Sequence, residues 1–296
     1  MNKGICFYFG YVYDDIQEHV KDIKNAGFDC VMDSSDPKFR KQTGTLKRKV
    51  KLLKKNGVKL SSLHSRYVKI ELPHFWCDDK IGKKLEKDLI KDIKIASKYG
   101  FTCVVYHMKC NPNKEHGNEF GYARLKRILK KCEKLNIPLA LENLSDNFTA
   151  LKDIFDNIKS DYLKFCWDVG HNHAFTPDID FASLYKDKLI TVHLHDNLGA
   201  FVDDEHYKKI GYTNTYPQPF KKLYNPDMHT LNKYGSIDWN EVAKKLAAVD
   251  HPLNLDYEVM MVYRKKETSQ QVLKTVYKQA KDLEKMIEEH KKQPKF

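Results

Sequence analysis

The segment Phe165–Phe175, FCWDVGHNHAF, runs two apolar residues into Asp168 and follows them with Gly170, His171 and His173. A buried strand ending in an acid and imidazoles is built to hold a cation or to move protons, because an unpaired buried carboxylate is costly. The same pattern recurs along the chain. His64 closes KLSSLHS, His107 closes TCVVYH, Glu142 sits in IPLALEN, His193 in LITVHLHDN and Glu258 in PLNLDYEVM. Mixed imidazole and carboxylate donors suit zinc, manganese, cobalt or iron, and the lack of thiolates argues against a cysteine-rich structural zinc site. Glu142 and Glu258 lie on separate segments and could bind one metal from opposite sides. Working on opposite faces of a substrate, they could move a proton on and off a carbon beside a carbonyl while the metal polarises the oxygens.

The elements that must position these groups are short β-like runs alternating with amphipathic helices. The runs are KGICFYFG, FDCVMDS, KLSSLHS, TCVVYHM, IPLALEN, LKFCWDVG, LITVHLHDN and PLNLDYEVM. They are apolar and rich in β-branched or aromatic residues, as buried parallel strands should be. DDIQEHVKDIKNAG reads as a helix with Ile16, Val20 and Ile23 on one face and a stop at Gly27. TLKRKVKLLKKNG and KKLEKDLIKDIKIASKYG stop the same way at Gly57 and Gly100. DWNEVAKKLAAV and the long SQQVLKTVYKQAKDLEKMIEEHKK follow the seventh and eighth strands. Strand–helix alternation of this kind predicts an α/β fold, one (β/α)8 TIM barrel over residues 1–296. A doubly wound sheet is the weaker fit, since polar residues mark the C-terminal end of most strands and no glycine-rich phosphate loop is visible. Two segments exceed ordinary connections: RYVKIELPHFWCDDKIG after strand 3, and the Tyr-, Pro- and Asn-rich stretch after strand 7. Long loops at that face of a barrel shape or cover the site.

The formal charge of +12 comes almost wholly from lysine spread over helices. Nucleic-acid readers favour arginine and concentrated patches, so a solvated lysine surface is expected. The seven cysteines form no C-x-x-C pair, and several sit in strand-like runs as small hydrophobes. A reducing compartment follows. With no signal-like leader in MNKGICFYFG and no run near membrane-spanning length, a cytoplasmic location away from membranes is expected, with a homodimer possible.

Taken together, ALEN, CWDVGHNHA, VHLHDN, and DMHTLNKYGSIDW followed by LDYEV resemble the xylose isomerase-like TIM barrels, over nearly the whole chain. That superfamily includes sugar isomerases and epimerases and the endonuclease IV group. The resemblance implies a shared metal on Glu142, Asp168, His193 and Glu258. The trinuclear zinc site of the endonuclease IV group implies a second ion on His64 and His107, sharing Glu142, and a third on His171, Asp227 and His229. Asp204 and His206 offer a second D-x-H pair. Asp227 and His229 are preferred because Gly235, Ile237, Asp238 and Trp239 follow at the family's spacing. Where the endonucleases read H-P-G after strand 4, this chain has HMKC; their E-N-T-A-G is ENLSDN, and their D-T-C-H is DVGH. WDVGHNHA and HLHDN look more like the isomerase and epimerase branch. Tyr67 and Val68 stand where the nucleases place a bulky pair wedged into DNA, and an aromatic over a sugar fits equally.

The expected activity is therefore isomerisation or epimerisation of a sugar, sugar phosphate or cyclitol through a metal-stabilised enediolate, using one to three divalent ions, manganese or zinc. The alternative is a zinc-dependent apurinic-site endonuclease, for which DNA would be the partner; a non-catalytic sugar-binding barrel is the third reading. Trp76, with Phe75, is read either as a sugar-stacking wall or as lid packing, and Tyr67 as a substrate contact. His195, and His173 with it, is placed just off the metal, hydrogen-bonding to ligands or touching substrate. Lys109 is read as solvated, and His74, His116, His251 and His290 as surface residues.

Overall fold

The computed structural model describes residues 1–7, 15–39, 44–111, 117–200, 205, 225–260 and 267–292. Asp204, His206 and His116 lie outside the described residues. Eight strands form a closed barrel in sequence order: β1 Asn2–Cys6, β2 Cys30–Ser34, β3 Lys59–His64, β4 Cys103–Tyr106, β5 Leu139–Glu142, β6 Leu163–Asp168, β7 Leu189–Leu194 and β8 Asn254–Tyr257. Every neighbouring pair is parallel, β8 closing onto β1. This is the (β/α)8 architecture expected from the alternation of runs.

The helices are α1 Ile16–Ala26, α2 Leu46–Lys55, α3 Lys80–Tyr99, α4 Glu119–Leu135, α5 Phe148–Asn157, α6 Val169–Phe175, α7 Phe181–Leu184, α8 Trp239–Ala247 and α9 Ser269–Lys292. Their ends follow local chemistry. Asp15 caps α1 by accepting from Gln17 N, and Gly27 ends it at φ 109°, a left-handed conformation that a side chain would resist. Thr45 caps α2 in the same way. α3 begins earlier than its periodicity predicts, because Asp79 caps it by accepting from Gly82 N. The last residues of the long segment after β3 are thus helical, and Leu72–Trp76 within it form a 3-10 turn.

Two-residue alternation along the strands explains where the chemistry points. Outward residues such as Ile5, Val31, Val104, Leu141, Phe165, Val192 and Leu255 join the large core beneath the helices. The barrel interior holds a smaller set: Cys103, Val105, Ala140 and Cys166 form one cluster, Cys6 and Met32 another. In the same interior Asp256 accepts from Ser61 Oγ at 2.6 Å, Ser62 Oγ at 2.9 Å and Thr191 Oγ1 at 3.1 Å. Two residues further along each strand direction stand His64, His107, Glu142, Asp168, His193 and Glu258. They project into the C-terminal mouth because the layer below them is already inside.

One buried ion pair anchors α2 to the barrel. Lys49 Nζ donates to Asp33 Oδ1 at 2.6 Å, and each side chain is only 1% exposed. Lys49 also lies over the Phe7 ring, which stacks on His19. Burial, reinforced by the Lys49 charge, lowers the His19 imidazole to about 3, so it packs as a neutral ring. Removing one partner of such a pair strands a charge without solvent. Asp33→Asn is expected to lower the free energy of unfolding by about 3–5 kcal/mol in urea titrations. Asp33→Leu combined with Lys49→Met should recover most of that loss; a double variant no better than the single one would contradict the assignment.

Candidate metal centre

Six strand ends, the short helix α6 and one loop deliver the polar groups to the barrel mouth. His64, Glu142 and Asp168 close β3, β5 and β6; His193 lies within β7; His107 and Glu258 immediately follow β4 and β8. His171 sits on α6, the short helix after β6, where the sequence suggested only a strand end. Asp168 makes that helix start: its Oδ1 accepts from His171 N at 2.6 Å as the N-cap. Asp227 and His229 come from the segment after β7. His229 takes an unusual φ of 45°, held by an antiparallel bridge between Asp196 and Thr230 and by Met260 N donating to its carbonyl at 2.9 Å.

Glu142 is the hub of the site. Its carboxylate lies 3.1 Å from His107 Nε2, 3.3 Å from His64 Nε2, 3.3 Å from His171 Nδ1 and 3.4 Å from His193 Nδ1. His193 Nδ1 also faces Glu258 at 3.7 Å and Asp168 at 4.0 Å. A third group gathers around Asp227, with His229 Nε2 at 3.1 Å, His171 Nε2 at 3.4 Å and His195 Nε2 at 3.7 Å. Every residue selected from the sequence as a metal candidate, Asp204 and His206 apart, therefore lies in one connected constellation.

Backbone carbonyls orient three of the rings. His64 Nδ1 donates to Ser65 O at 2.8 Å, His171 Nδ1 to Asn143 O at 3.0 Å and His229 Nδ1 to Glu258 O at 2.8 Å. Each bond fixes the tautomer and aims Nε2 into the mouth, the arrangement that metal-binding histidines adopt. Asparagines lock the scaffold around them. Asn143 exchanges two hydrogen bonds with the Asp168 backbone, Asn147 donates to the carbonyls of Glu142 and Met108, and Asn197 donates to Gly170 O. The sequence reading assigned these asparagines no role, although each EN or DN step beside an acid was their visible trace.

Burial would push these acids up and these imidazoles down, yet mutual attraction wins at most positions. The imidazoles of His107 and His193 hold Glu142 well below the usual carboxylate range, and His229 and His171 do the same for Asp227. Asp168 is lowered by His171 and His195. His171 is raised well above its ordinary value by Asp168 and Asp227, and His193 is raised well above its own, facing the Glu258 and Glu142 carboxylates. In His107 burial prevails and the value falls. Within the cluster the carboxylates are thus balanced by imidazole protons, which a cation can replace.

The residues fit a divalent cation on a further count. Asp168 Oδ2, both ring nitrogens of His193 and of His195, and His107 Nδ1 are buried with no hydrogen-bond partner among the described residues. Folded proteins seldom leave so many buried polar atoms unsatisfied in one place. Donor triads close enough to share an ion include His64, His107 and Glu142. Cys166 Sγ also lies near Glu142 and His193, but burial drives that thiol far up, so it stays protonated as a small packed group.

His195 turns toward the mouth, its Nε2 3.1 Å from Asp168 Oδ1, beside Asp227 and His229. Several neighbours differ from expectation. Trp76 is 1% exposed; its Nε1 donates to Lys109 O at 2.7 Å and its ring packs on Gly121, so it is lid packing with no face left for a sugar. Lys109, expected in solvent, is buried and bonded to Asp146. His173 bonds Ser236 Oγ at 3.0 Å. His74 is clamped to Asp79, and His251 to Leu189 O. Tyr67 does reach the site, its ring edge-on to His107 with centroids 4.7 Å apart.

The family model described as xylose isomerase-like TIM barrel matches residues 20–279. The chain belongs to this family. A curated relative, the uncharacterized protein y4fM of Sinorhizobium fredii, is 26% identical over 136 residues; the match spans 44% of this chain and 36% of that relative. Among solved structures, a D-tagatose 3-epimerase-like protein is 17% identical with TM-score 0.72, covering 98% of this chain and 99% of its own. The IOLI protein with a bound zinc atom is 15% identical with TM-score 0.69, covering 99% and 100%. The 3-keto-D-glucoside 4-epimerase YcjR of E. coli is 15% identical with TM-score 0.64, covering 96% and 99%. At these identities the likeness is one of fold. No described helix is long and apolar enough to cross a membrane.

The protonation pattern makes a prediction. Although burial opposes its charge, the Asp227 carboxylate raises the His229 imidazole from 6.5 to about 9. In the ion-free protein that pairing contributes stability fully present below pH 6.5 and lost as pH rises through about 9. A cation must displace the proton, so zinc affinity should climb by about one log unit per pH unit per proton across that window. Calorimetric titrations in buffers of different ionisation heat measure both the slope and the released protons; a flat affinity with no proton release would be the contrary result.

Proposed function

We propose that this barrel is a divalent-metal-dependent isomerase or epimerase acting on a sugar, sugar phosphate or cyclitol. The observation that carries the reading is the pair of buried carboxylates, Glu142 from β5 and Glu258 after β8, converging on His193 Nδ1 at 3.4 and 3.7 Å. The epimerase names of the structural neighbours and the zinc in the IOLI structure point the same way.

Glu142, Asp168, His193 and Glu258 would hold the ion. Bound there, a divalent cation, manganese or zinc, would supply Lewis acidity that lowers the cost of removing the proton on the hydroxyl-bearing carbon beside a substrate carbonyl. One glutamate takes that proton on one face of the carbon and the other returns one on the opposite face or at the adjacent carbon, which gives epimerisation or isomerisation respectively. Tyr67 stands edge-on to His107 at the mouth, where a substrate would pass.

Incubating the metal-loaded protein with a ketose and aldose panel in deuterium oxide tests this reading: turnover should place solvent deuterium on one substrate carbon. Glu142→Gln and Glu258→Gln should each lower kcat by about 10²–10⁴-fold, and chelation should abolish turnover until manganese or zinc is restored. Turnover without deuterium uptake would exclude proton transfer through these glutamates.

A second reading, hydrolysis of a phosphodiester at an abasic site in DNA, is favoured by one feature: three adjoining donor groups, two of them meeting at Glu142. Cleavage of an abasic duplex at low salt with zinc, falling steeply as salt rises, would select this reading; intact duplex under those conditions would remove it.

A further inference from the structure

We propose that the cavity between α3 and the ends of β3 and β4 holds one small monovalent cation, potassium, sodium or ammonium, on oxygens of Asp92, Tyr106 and Ser65, and that this ion braces the helix against the strands leading into His64 and His107. The site lies behind the barrel wall, away from the mouth, and its test does not depend on the metal or the reaction proposed above.

The first argument is the space. A cavity of about 20 Å³ is bordered by Ser65, Arg66, Glu71, Asp88, Asp92 and Tyr106. A single water needs about 10–15 Å³, so one guest of that size fits and a sugar does not. The two-residue alternation that turns His64 and His107 inward turns Ser65 and Tyr106 outward, toward α3. Asp92 meets them from the buried face of that helix.

The second argument is the chemistry of the lining. Asp92 is 7% exposed and Tyr106 3%. Asp92 Oδ2 accepts from Ser35 Oγ at 2.9 Å, and no ion pair reaches the carboxylate among the described residues. The cations at the rim are committed to other acids: Arg66 Nη1 stands 3.6 Å from Glu71, and Lys84 Nζ stands 3.2 Å from Glu71 and 3.1 Å from Asp88. The Tyr106 hydroxyl is buried with no hydrogen-bond partner among the described residues. Burial pushes the Asp92 carboxyl up to about 6, in spite of the Ser35 and Ser65 hydroxyls beside it. Burial, with Asp92 and Asp88 nearby, also pushes the Tyr106 phenol up, so it stays neutral with an oxygen to offer. A buried carboxylate without a counter-charge and a buried hydroxyl without a partner both cost free energy. A water satisfies the hydroxyl and leaves the charge uncompensated. A cation that takes oxygen ligands answers both, and one deep carboxylate among neutral oxygens balances a single positive charge.

The third argument is what the site joins. Ser35 N donates to His64 O at 2.9 Å, Ser65 N to Val105 O at 2.9 Å, and Arg66 N to Ser35 Oγ at 3.1 Å. The chain just past β2, the chain just past β3 and the end of β4 thus interlock beside the cavity. An ion on Asp92 ties α3 to this junction, from which His64 and His107 reach into the mouth.

Thermal unfolding of the full-length protein in potassium, sodium, ammonium and choline chloride at equal ionic strength tests the proposal, because choline is too large for the cavity. The wild-type protein should melt about 2–4 °C higher in at least one of the small cations than in choline, and the cation that does so is the guest. Asp92→Asn and Tyr106→Phe, each folded by circular dichroism, should lose that increment. Should Asp92→Asn fail to fold, Tyr106→Phe, which removes a single oxygen, is read alone. Equal melting of the wild-type protein in every salt would mean that water fills the cavity, and the proposal would be overturned. An increment kept undiminished in a folded variant would place the cation elsewhere and overturn it as well.

Discussion

One buried carboxylate organises the mouth of this barrel. Glu142 is 1% exposed and has four imidazoles within 3.4 Å, delivered by β3, by the residue after β4, by α6 and by β7. An isolated carboxylate at that depth would be neutralised by protonation. Here the surrounding rings keep it ionised, and it in turn keeps several of them charged. The constellation stands only if the strands meet in the right register, so the parallel barrel and the polar cluster specify each other. Buried pairs of this kind contribute little net stability and much definition of which group faces which.

The layer beneath makes that placement possible. The interior below the mouth is filled by Cys103, Val105, Ala140 and Cys166, with Asp256 satisfied by three hydroxyls. Small groups there leave the two-residue alternation of the strands undisturbed, and the next inward position on each of β3 to β8 is the one that carries an acid or a histidine. The bulky apolar residues are outside, against the helices. The barrel thus separates its tasks by side of strand: packing energy on the outer face, chemistry on the inner one.

Much of this was legible in the sequence. The strand runs, the glycine stops of α1 and α3, and the identity of the acids and histidines at strand ends could all be read from local pattern. What local pattern hides is partnership across distance. Lys49 reads as one more lysine on an amphipathic helix, and only the structure shows Asp33 waiting on β2. Lys109 looked solvated for the same reason, and Trp76 looked available because its contacts with Gly121 and the Lys109 carbonyl come from separate segments. His195 is a different case. Lying two residues beyond His193, it shares that residue's face by strand alternation, so its inward direction could have been taken from the period of two. The short α6 was hidden because Asp168 is both a strand end and a helix cap.

The tethering of His64, His171 and His229 through Nδ1 to backbone carbonyls has a consequence for how the centre behaves over time. Rings held at one nitrogen cannot swing out or turn over, so their rotational freedom is surrendered when the chain folds and none is left to lose when an ion arrives. Replacing one cation by another then leaves the cradle unchanged in shape. Discrimination between cations must come from donor chemistry and from the competing affinity of each ion for water, with no contribution from a protein that closes around its preferred guest.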